Sequence, residues 1–336
     1  MEYRSLGRSG LKVSPLCLGA MMFGGQADEA EAHRIVARAR AQGVNFIDTA
    51  NRYNDGRSEE VVGRAIASDR DWWVVATKIV NPMGEGPNGR GASRVHMVRA
   101  VESCLRRLNA ETIDILYLHR EDHTTPMEET VRALADLIRA GKLRYFGLSN
   151  HQAWRVVEMC RLADLAGIDR PVVSQPLYNA LNRMVEVEHL PACAHLGVGV
   201  FPYSPLARGV LTGKYRPGEP PPQGTRAGRQ DKRMMETEWR EESLEIARQL
   251  AVRAADRKVT PGQFALAWVL NNRLITGAIA GPRTLGQWEE YVGALEVRLE
   301  AEDEALVDRL VPPGCPSTPG WQDPAHPIEG RVAREG

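Results

Sequence analysis

Several features of membrane, secreted and nucleic-acid-binding proteins are missing from this sequence. No run of about 18 consecutive apolar residues occurs, so no membrane-spanning helix is expected, and the first residues contain no apolar stretch of signal-peptide length. Lys plus Arg and Asp plus Glu each number 43, which gives a formal net charge of zero. Such a balance offers no basic surface for a nucleic acid. We therefore expect a soluble protein with neither membrane nor nucleic-acid partners.

Cysteine is scarce and scattered along the chain. There are five cysteines, an odd number, and none forms a CxxC pair. They are Cys17, Cys104, Cys160, Cys193 and Cys315. This pattern favours neither a disulfide framework nor a zinc site, and it is typical of proteins in a reducing compartment. We expect a cytoplasmic location and no bound metal.

What the sequence does contain is a regular alternation of short apolar runs and longer segments with helical periodicity. Such alternation is typical of β-α-β units, and continuous apolar runs indicate parallel strands covered on both faces. The eight predicted strands are residues 16–19, 44–48, 73–78, 113–119, 144–148, 172–175, 198–202 and 275–280. Eight units without an early dinucleotide-binding fingerprint favour a (β/α)8 barrel over a doubly wound sheet. We expect one barrel domain over residues 1–336.

Turn and capping residues punctuate this pattern. Residues 1–13 are expected to form a β-hairpin that plugs one end of the barrel. Predicted helix starts are at Ser58, Ser93 and Thr260–Pro261, and predicted helix stops are at Gly43, Gly141, Gly167 and Gly197. Two long loops, residues 81–91 and 203–240, interrupt the alternation, and residues 312–336 are expected to form an irregular tail.

The predicted strand ends carry polar and titratable side chains. In a (β/α)8 barrel the C-terminal ends of the strands meet at one face, where the chemistry takes place. Asp48, Lys78 and His119 end three consecutive predicted strands, and Tyr53 follows the first of them. Lys78 lies between apolar residues, so its ammonium must be paired, and Asp48 is the obvious partner. A cation next to Tyr53 is expected to lower the pKa of the phenol towards the range of a useful general acid.

Together these four groups suit the reduction of a carbonyl compound. Tyr53 would protonate the developing alkoxide, and His119 would donate a hydrogen bond to the carbonyl oxygen. No side chain can donate a hydride, so a cofactor must supply it. The sequence therefore indicates an enzyme that transfers a hydride.

Ordered motifs along the chain resemble the aldo-keto reductase family. The first are residues 43–53, which contain Asp48 and Tyr53, and residues 56–63. Further matches are residues 77–78, 117–119, 147–150, 174–179, 202–206, 209–215 and 281–284, with Gln287. These motifs run in order over nearly the whole chain, so chance similarity is implausible.

The resemblance implies an NADPH-dependent (β/α)8 barrel with a catalytic tetrad of Asp48, Tyr53, Lys78 and His119. It also implies a set of contacts with NADPH or NADP+. Carboxamide contacts would come from Ser149, Asn150 and Gln175, ring stacking from Tyr203, pyrophosphate contacts from Ser204, Leu206, Gly209 and Lys214, and contacts around the adenosine 2′-phosphate from Gly281, Arg283, Thr284 and Gln287. A guanidinium suits a phosphate because it can donate two hydrogen bonds to it. The loop after Tyr203 would form a flap over the cofactor.

The sequence departs from the family pattern where adenine would bind, and it leaves the substrate open. Tyr291 stands where the family usually has an asparagine that contacts adenine. The carbonyl pocket would be lined by Met22 or Phe23, Tyr53, residues 81–91 and the tail. These loops vary most in the family, so the resemblance implies a small carbonyl substrate without naming it, and it leaves the oligomeric state open.

Competing interpretations attach to several of these residues. Ser149–Asn150 would also fit the N-cap of a following helix. His119 and His123 have metal-like spacing, although Arg120 stands where a zinc metalloprotease needs a glutamate. Residues 84–89 match the GxGxxG fingerprint, but a proline falls where its helix should already be running.

Three functions follow from these interpretations. The leading hypothesis is reversible, NADPH-dependent reduction of an aldehyde or ketone. One rival is a cofactor-binding regulatory protein similar to the potassium-channel β subunits, which share this fold and use a partner surface. The other rival is a metal-dependent barrel hydrolase.

Overall fold

The computed structural model describes residues 1–327 and has the (β/α)8 barrel architecture that the sequence predicts. Residues 328–336, the end of the predicted tail, lie outside the described residues. The strands are β1 Arg4–Ser5, β2 Lys12–Val13, β3 Leu16–Gly19, β4 Phe46–Asp48, β5 Val74–Ile79, β6 Ile113–Leu118, β7 Leu143–Ser149, β8 Val173–Gln175, β9 Gly199–Val200 and β10 Ala278–Ala280.

Strands β3 to β10 form one parallel sheet in the order β10-β3-β4-β5-β6-β7-β8-β9. Backbone hydrogen bonds join its two edges, from Thr276 N to Val200 O at 2.9 Å and from Ile279 N to Pro202 O at 3.1 Å. The sheet therefore closes on itself. Because the strands are parallel, their carboxyl ends meet at one face of the barrel.

Eleven α-helices are formed within residues 1–327. They are α1 Glu29–Ala41, α2 Arg57–Ala65, α3 Arg94–Leu108, α4 Met127–Arg139, α5 Ala153–Ala166, α6 His189–Leu196, α7 Lys232–Thr237, α8 Glu241–Asp256, α9 Pro261–Asn271, α10 Leu285–Gly293 and α11 Ala301–Leu310. None of these helices is long and apolar enough to span a bilayer.

The hydrophobic core has two layers. The larger one fills the space between the strands and the helices, and the smaller one fills the barrel interior. In the interior, Phe46 and Phe201 meet edge to face with ring centroids 5.0 Å apart, a geometry worth about 0.5–1.5 kcal/mol beyond area burial. Leu6 and Val13 of the β1-β2 hairpin are fully buried in the same cluster. The hairpin therefore plugs the barrel, as predicted.

Predicted element ends agree with the structure at the helix C-termini and less well at the strand starts. Gly43, Gly141, Gly167 and Gly197 all have positive φ, between 66° and 85°, as the predicted helix stops require. Val44 was expected to begin a strand, but its N–H donates to Ala39 O at 3.0 Å. This bond satisfies a carbonyl at the end of α1, so β4 begins two residues later.

Two of the three predicted helix starts have the predicted N-cap residue. Ser93 and Thr260 are N-caps, and Thr260 forms a complete capping box. Ser58 is not a cap, because α2 begins one residue earlier, after Gly56. Ser58 Oγ instead donates to Ala20 O at 2.7 Å, in the loop after β3. A contact so distant in sequence leaves no local pattern.

Residues 203–240, called the flap below, contain short ordered pieces. There are 3-10 turns at Ala207–Thr212 and Ala227–Arg229, followed by α7. Arg233 on α7 donates two hydrogen bonds to the carboxylate of Asp323, at 2.9 and 2.6 Å. This paired contact holds the tail against the flap, above the face where the strands end.

Candidate active site

A buried ion pair joins the ends of two neighbouring strands. Asp48 ends β4 and Lys78 lies in β5, and both are almost completely buried. Lys78 Nζ donates to a carboxylate oxygen of Asp48 and to Thr49 O at 2.8 Å. Its third hydrogen bond goes to Tyr53 Oη at 3.1 Å, so all three ammonium protons have acceptors. Gln175 Nε2 donates to the other carboxylate oxygen at 3.0 Å.

Burial and ion pairing have opposite effects on the pKa values of Asp48 and Lys78. Burial lowers the pKa of Lys78, but the contacts with Asp48 and Tyr53 together more than offset it, so the pKa of Lys78 lies above its ordinary value. Burial raises the pKa of Asp48, and the ammonium of Lys78 opposes that shift. Lys78 therefore remains a cation at neutral pH, in contact with Tyr53.

Tyr53 lies in the turn between β4 and α2. Asn54 and Asp55 follow it with φ values of 49° and 55°, a left-handed conformation that asparagine and aspartate tolerate better than most residues. Asn54 Nδ2 donates to two carbonyl oxygens in the loop after β3, at 3.1 and 2.8 Å. These bonds fix the turn and hold the phenol against Lys78.

The pKa of Tyr53 is raised, so the prediction of a lowered value is wrong. Burial is the main cause; the charge of Lys78 lowers the pKa without outweighing burial, and Asp48 raises it further. The sequence argument counted the cation but not the loss of water around the phenol. Tyr53 is therefore protonated at neutral pH, which is the form that a proton donor needs.

His119 directly follows β6 and completes the predicted tetrad. Its ring meets that of Tyr53 edge to face, with centroids 5.8 Å apart. Burial lowers the pKa of His119 well below its ordinary value, and the charges of Lys78 and Arg120 lower it further. The imidazole is therefore neutral at neutral pH and can donate one hydrogen bond.

A cavity of about 650 Å³ opens beside these groups at the C-terminal face of the barrel. Of the twelve residues predicted to contact a cofactor, eleven line it: Ser149, Asn150, Gln175, Tyr203, Ser204, Leu206, Gly209, Lys214, Gly281, Arg283 and Gln287. Thr284 is the exception, so the structure does not bring it to the cavity with the others. Its hydroxyl accepts from the backbone N–H of Gln287 at 3.3 Å and caps α10.

The strand ends next to the tetrad form a hydrogen-bonded floor. Asn150 Nδ2 donates to Ser149 Oγ at 3.1 Å, and Asn150 Oδ1 accepts from Tyr203 Oη at 2.8 Å. Ser149 Oγ donates to Gln175 O at 2.9 Å. The alternative that Ser149–Asn150 caps a helix is wrong, because α5 begins only at Ala153. These fixed amide and hydroxyl groups suit a ligand carboxamide.

The far end of the cavity is lined by three cations, Lys214, Arg226 and Arg283. Burial, together with repulsion from Arg283 and Arg226, lowers the pKa of Lys214 to about 8. Gly209 makes room for this side chain, since a Cβ there would lie 2.5 Å from Lys214 Nζ. An anion between these cations would relieve their repulsion, so this donor set fits the phosphates of a dinucleotide.

Sequence reasoning missed four arginines in the cavity lining: Arg120, Arg208, Arg226 and Arg233. Three of them belong to the flap, which contains no strand end from which the position of a side chain could be predicted. Arginine is abundant in this chain, so composition gave no signal either. Tyr291, noted as a departure from the family pattern, also lines the cavity and is almost fully buried.

Only some of the residues predicted to line the carbonyl pocket line the cavity next to the tetrad. Its lining includes Met21, Met22, Asn81, Ala325 and His326. The choice between Met22 and Phe23 is settled for Met22, because Phe23 is fully buried in the core. The loop 81–91, all of which is described, contributes Asn81 alone, so the fingerprint-like residues 84–89 lie away from the cavity. Within residues 1–327, no group of three His, Cys, Asp or Glu is placed to hold a metal ion.

Comparison with known proteins identifies the family. A family model described as "Aldo/keto reductase family" matches residues 15–312. The chain belongs to this family. Aldo/keto reductases are oxidoreductases that generally use NAD(P)H. The family match confirms the resemblance found in the sequence, and the closed parallel sheet confirms the expected barrel.

Individual relatives of this aldo/keto reductase carry different names. The chain is 40% identical over 302 residues, 88% of its length and 92% of the relative's, to a "Probable voltage-gated potassium channel subunit beta" of Arabidopsis thaliana. It is 37% identical over 330 residues, 95% and 98% of the two chains, to "Uncharacterized oxidoreductase YrpG" of Bacillus subtilis. It is 34% identical over 329 residues, 94% and 93%, to "L-glyceraldehyde 3-phosphate reductase" of Escherichia coli strain K12.

Proposed function

We propose that this aldo/keto reductase uses NADPH to reduce an aldehyde or ketone to the alcohol, reversibly. One observation carries the proposal: the protonated Tyr53 phenol lies 3.1 Å from the buried Lys78 ammonium, beside neutral His119 and open to the cavity. A proton donor, a charge that stabilises its conjugate base and a hydrogen-bond donor for the carbonyl are thereby assembled at one point.

The residues of this chain orient the carbonyl compound and deliver the proton. His119 and Tyr53 donate hydrogen bonds to the carbonyl oxygen. When held by the residues that line the cavity, NADPH would supply the hydride that the carbonyl carbon accepts. As negative charge develops on the oxygen, Tyr53 transfers its proton, and Lys78 stabilises the phenolate that remains. Asp48 keeps Lys78 charged and in place.

Titration of the pure protein with NADPH, followed by turnover on 4-nitrobenzaldehyde and methylglyoxal, tests this proposal. We expect saturable binding and steady oxidation of NADPH, with one alcohol formed per NADPH consumed. A protein that does not bind NADPH would overturn the cofactor assignment. Binding without repeated turnover on a broad panel of aldehydes and ketones would favour the second candidate below.

The cation cluster at the far end supports a phosphate-bearing cofactor such as NADPH and predicts a pH-dependent affinity. Phosphate groups between Lys214, Arg226 and Arg283 would stabilise the Lys214 ammonium, so binding raises its pKa from about 8. Below pH 8 Lys214 is already charged and the affinity is constant. Above pH 8 binding must take up a proton, so NADPH affinity falls by up to about tenfold per pH unit.

Fluorescence titrations of NADPH between pH 6.5 and pH 9.5 measure this effect. Lys214→Arg is the matched control, because its guanidinium stays charged across the range and the affinity should then be flat. Wild-type affinity that does not change above pH 8 would show that Lys214 does not contact the cofactor phosphates.

The charge around the tetrad supports an anionic substrate, such as a phosphorylated short aldehyde. Arg120 lines the cavity next to His119, and no other residue within 1–327 forms an ion pair or hydrogen bond with its side chain. A free guanidinium at that point suits a phosphate or carboxylate at the other end of a small carbonyl compound. The relative named for L-glyceraldehyde 3-phosphate reduction fits this preference.

Arg120→Gln tests the substrate preference. We expect kcat/KM for L-glyceraldehyde 3-phosphate to fall about 10- to 100-fold, since a hydrogen bond to a charged group contributes about 1.5–3 kcal/mol. The value for uncharged 4-nitrobenzaldehyde should not fall. If both substrates lose equally, or neither does, Arg120 does not recognise the anion.

The second candidate is a cofactor-binding regulatory subunit. It is favoured by the relatives named as probable potassium-channel β subunits, one of which is 40% identical to this chain. An intact tetrad fits both candidates, because a regulatory protein with these groups would oxidise bound NADPH only once. The number of alcohols formed per protein molecule separates them: one supports the regulatory subunit, and many support the enzyme.

A further inference from the structure

The backbone is strained where β5 leaves the barrel. Val80 has a φ of 97°, a region that β-branched residues adopt only when the surrounding structure forces them. Val80 is buried, and its carbonyl accepts from Gly91 N at 2.9 Å. On its other side, Ile79 O accepts from His119 N at 3.0 Å. The strained residue is therefore held on both sides, and it is followed directly by Asn81.

Asn81 points into the cavity and contacts the ring of His119. Its Nδ2 lies 3.0 Å from His119 Nδ1. With the amide of Asn81 oriented this way its nitrogen donates, so Nδ1 is the acceptor and carries no proton. In a neutral imidazole the proton is then on Nε2. This is the tautomer that can donate a hydrogen bond from the other side of the ring.

Within residues 1–327, the titratable groups that act on His119 disfavour the doubly protonated ring. Lys78 of β5, the adjacent Arg120 and His326 of the tail all lower the pKa of His119, and burial lowers it most. The neighbouring phenol of Tyr53 is uncharged at neutral pH. Charge and burial thus keep the ring neutral, but they do not favour either tautomer. The contact with Asn81 is what distinguishes the two ring nitrogens.

We propose that Asn81 is a positioning residue that holds His119 in the tautomer protonated at Nε2, and that the strained backbone at Val80 aims it. Held this way, His119 presents Nε2–H to the carbonyl oxygen of the substrate. The inference rests on the proposed carbonyl reduction for its consequence in catalysis. The tautomer itself is a property of the protein alone and can be measured without turnover.

Nitrogen NMR of protein labelled with 15N-histidine reads the protonated nitrogen of His119 directly, with His119→Gln used to assign the signals. We expect Nε2 to carry the proton in the wild type. In Asn81→Asp a carboxylate faces Nδ1 and accepts from it, so the proton should move to Nδ1 or the ring should become doubly protonated. Asn88→Asp, which adds the same charge to the exposed part of this loop, should leave the signals unchanged.

Kinetics give the second readout. Asn81→Ala should lower kcat about tenfold with unchanged NADPH affinity, as the tautomer is no longer fixed. In Asn81→Asp, the facing carboxylate should raise the pKa of His119, so an NMR titration should show the doubly protonated ring appearing about one pH unit or more higher than in the wild type. A merely structural role would move neither the tautomer nor this titration.

Two results would overturn the proposal: a wild-type His119 protonated at Nδ1, which would mean that the amide oxygen of Asn81 accepts, or a tautomer that Asn81→Ala and Asn81→Asp leave unchanged. If the NMR result is as expected but no carbonyl compound is turned over, the proposed function fails while the tautomer assignment stands. The two failures are therefore distinguishable.

Discussion

Tyr53→Phe is expected to slow carbonyl reduction by about 10²–10⁴-fold while NADPH affinity is unchanged. The substitution removes only the phenolic oxygen, which carries the proton transferred in the proposed mechanism and lies 3.1 Å from Lys78 Nζ. General acid catalysis contributes an effect of about this size. Because the ring remains, its contacts in the cavity wall and with His119 are kept. Steady-state turnover and a fluorescence titration measure the two quantities.

Tyr145→Phe is the matched control for Tyr53→Phe. Tyr145 lies near the start of β7, at the opposite end of the barrel from the cavity. Its substitution also removes one phenolic oxygen, and turnover should stay at the wild-type rate. If Tyr53→Phe keeps near-wild-type turnover, Tyr53 is not the general acid and the proposed mechanism is wrong.

Lys78→Met is expected to abolish turnover and to destabilise the fold by about 3–5 kcal/mol, because it leaves the carboxylate of Asp48 buried and unpaired. Asp48 is 2% exposed, and its remaining side-chain donor is Gln175 Nε2 at 3.0 Å. One amide hydrogen bond does not replace a cation in the barrel interior. Urea and thermal unfolding midpoints measure the loss of stability.

The double variant Asp48→Asn with Lys78→Met separates stability from catalysis. It leaves no buried charge at this position, so much of the lost stability should return. Turnover should not return, because nothing then stabilises the phenolate of Tyr53. If Lys78→Met is as stable as the wild type, the ion pair is less important to the fold than its burial indicates. If the double variant is active, Lys78 has no part in proton transfer.

Much of the site could be predicted because β-α-β units and strand-end chemistry are both local in sequence. The rule that parallel strands end at one face predicts that Asp48, Lys78 and His119 lie together. The structure confirms this placement, with Lys78 bonded to both Asp48 and Tyr53. The predicted direction of the shift in the pKa of Tyr53 was wrong for a different reason. A partner can be inferred from sequence spacing, whereas the amount of water removed from a group depends on every element packed around it.

The residues that line the cavity were likewise only partly predictable from the sequence. Residues at strand ends, such as Gln175 and Tyr203, were found from the sequence, but the arginines of the flap were not. Their positions depend on how residues 203–240 fold over the barrel and on the tail contact between Arg233 and Asp323. Thr284 fell in a matching motif, yet its hydroxyl is used as a helix cap. A motif fixes the order of residues along the chain, but not which way each side chain faces.

By itself the sequence determined the barrel and its family, and it predicted the four groups that the structure brings together, because periodicity, turn residues and strand-end chemistry are written in neighbouring positions. Only the tertiary structure decided the protonation state of Tyr53, the cation cluster around Lys214 and the contact between Asn81 and His119. Each of these depends on distances between segments far apart in the chain, and on the water that their packing excludes.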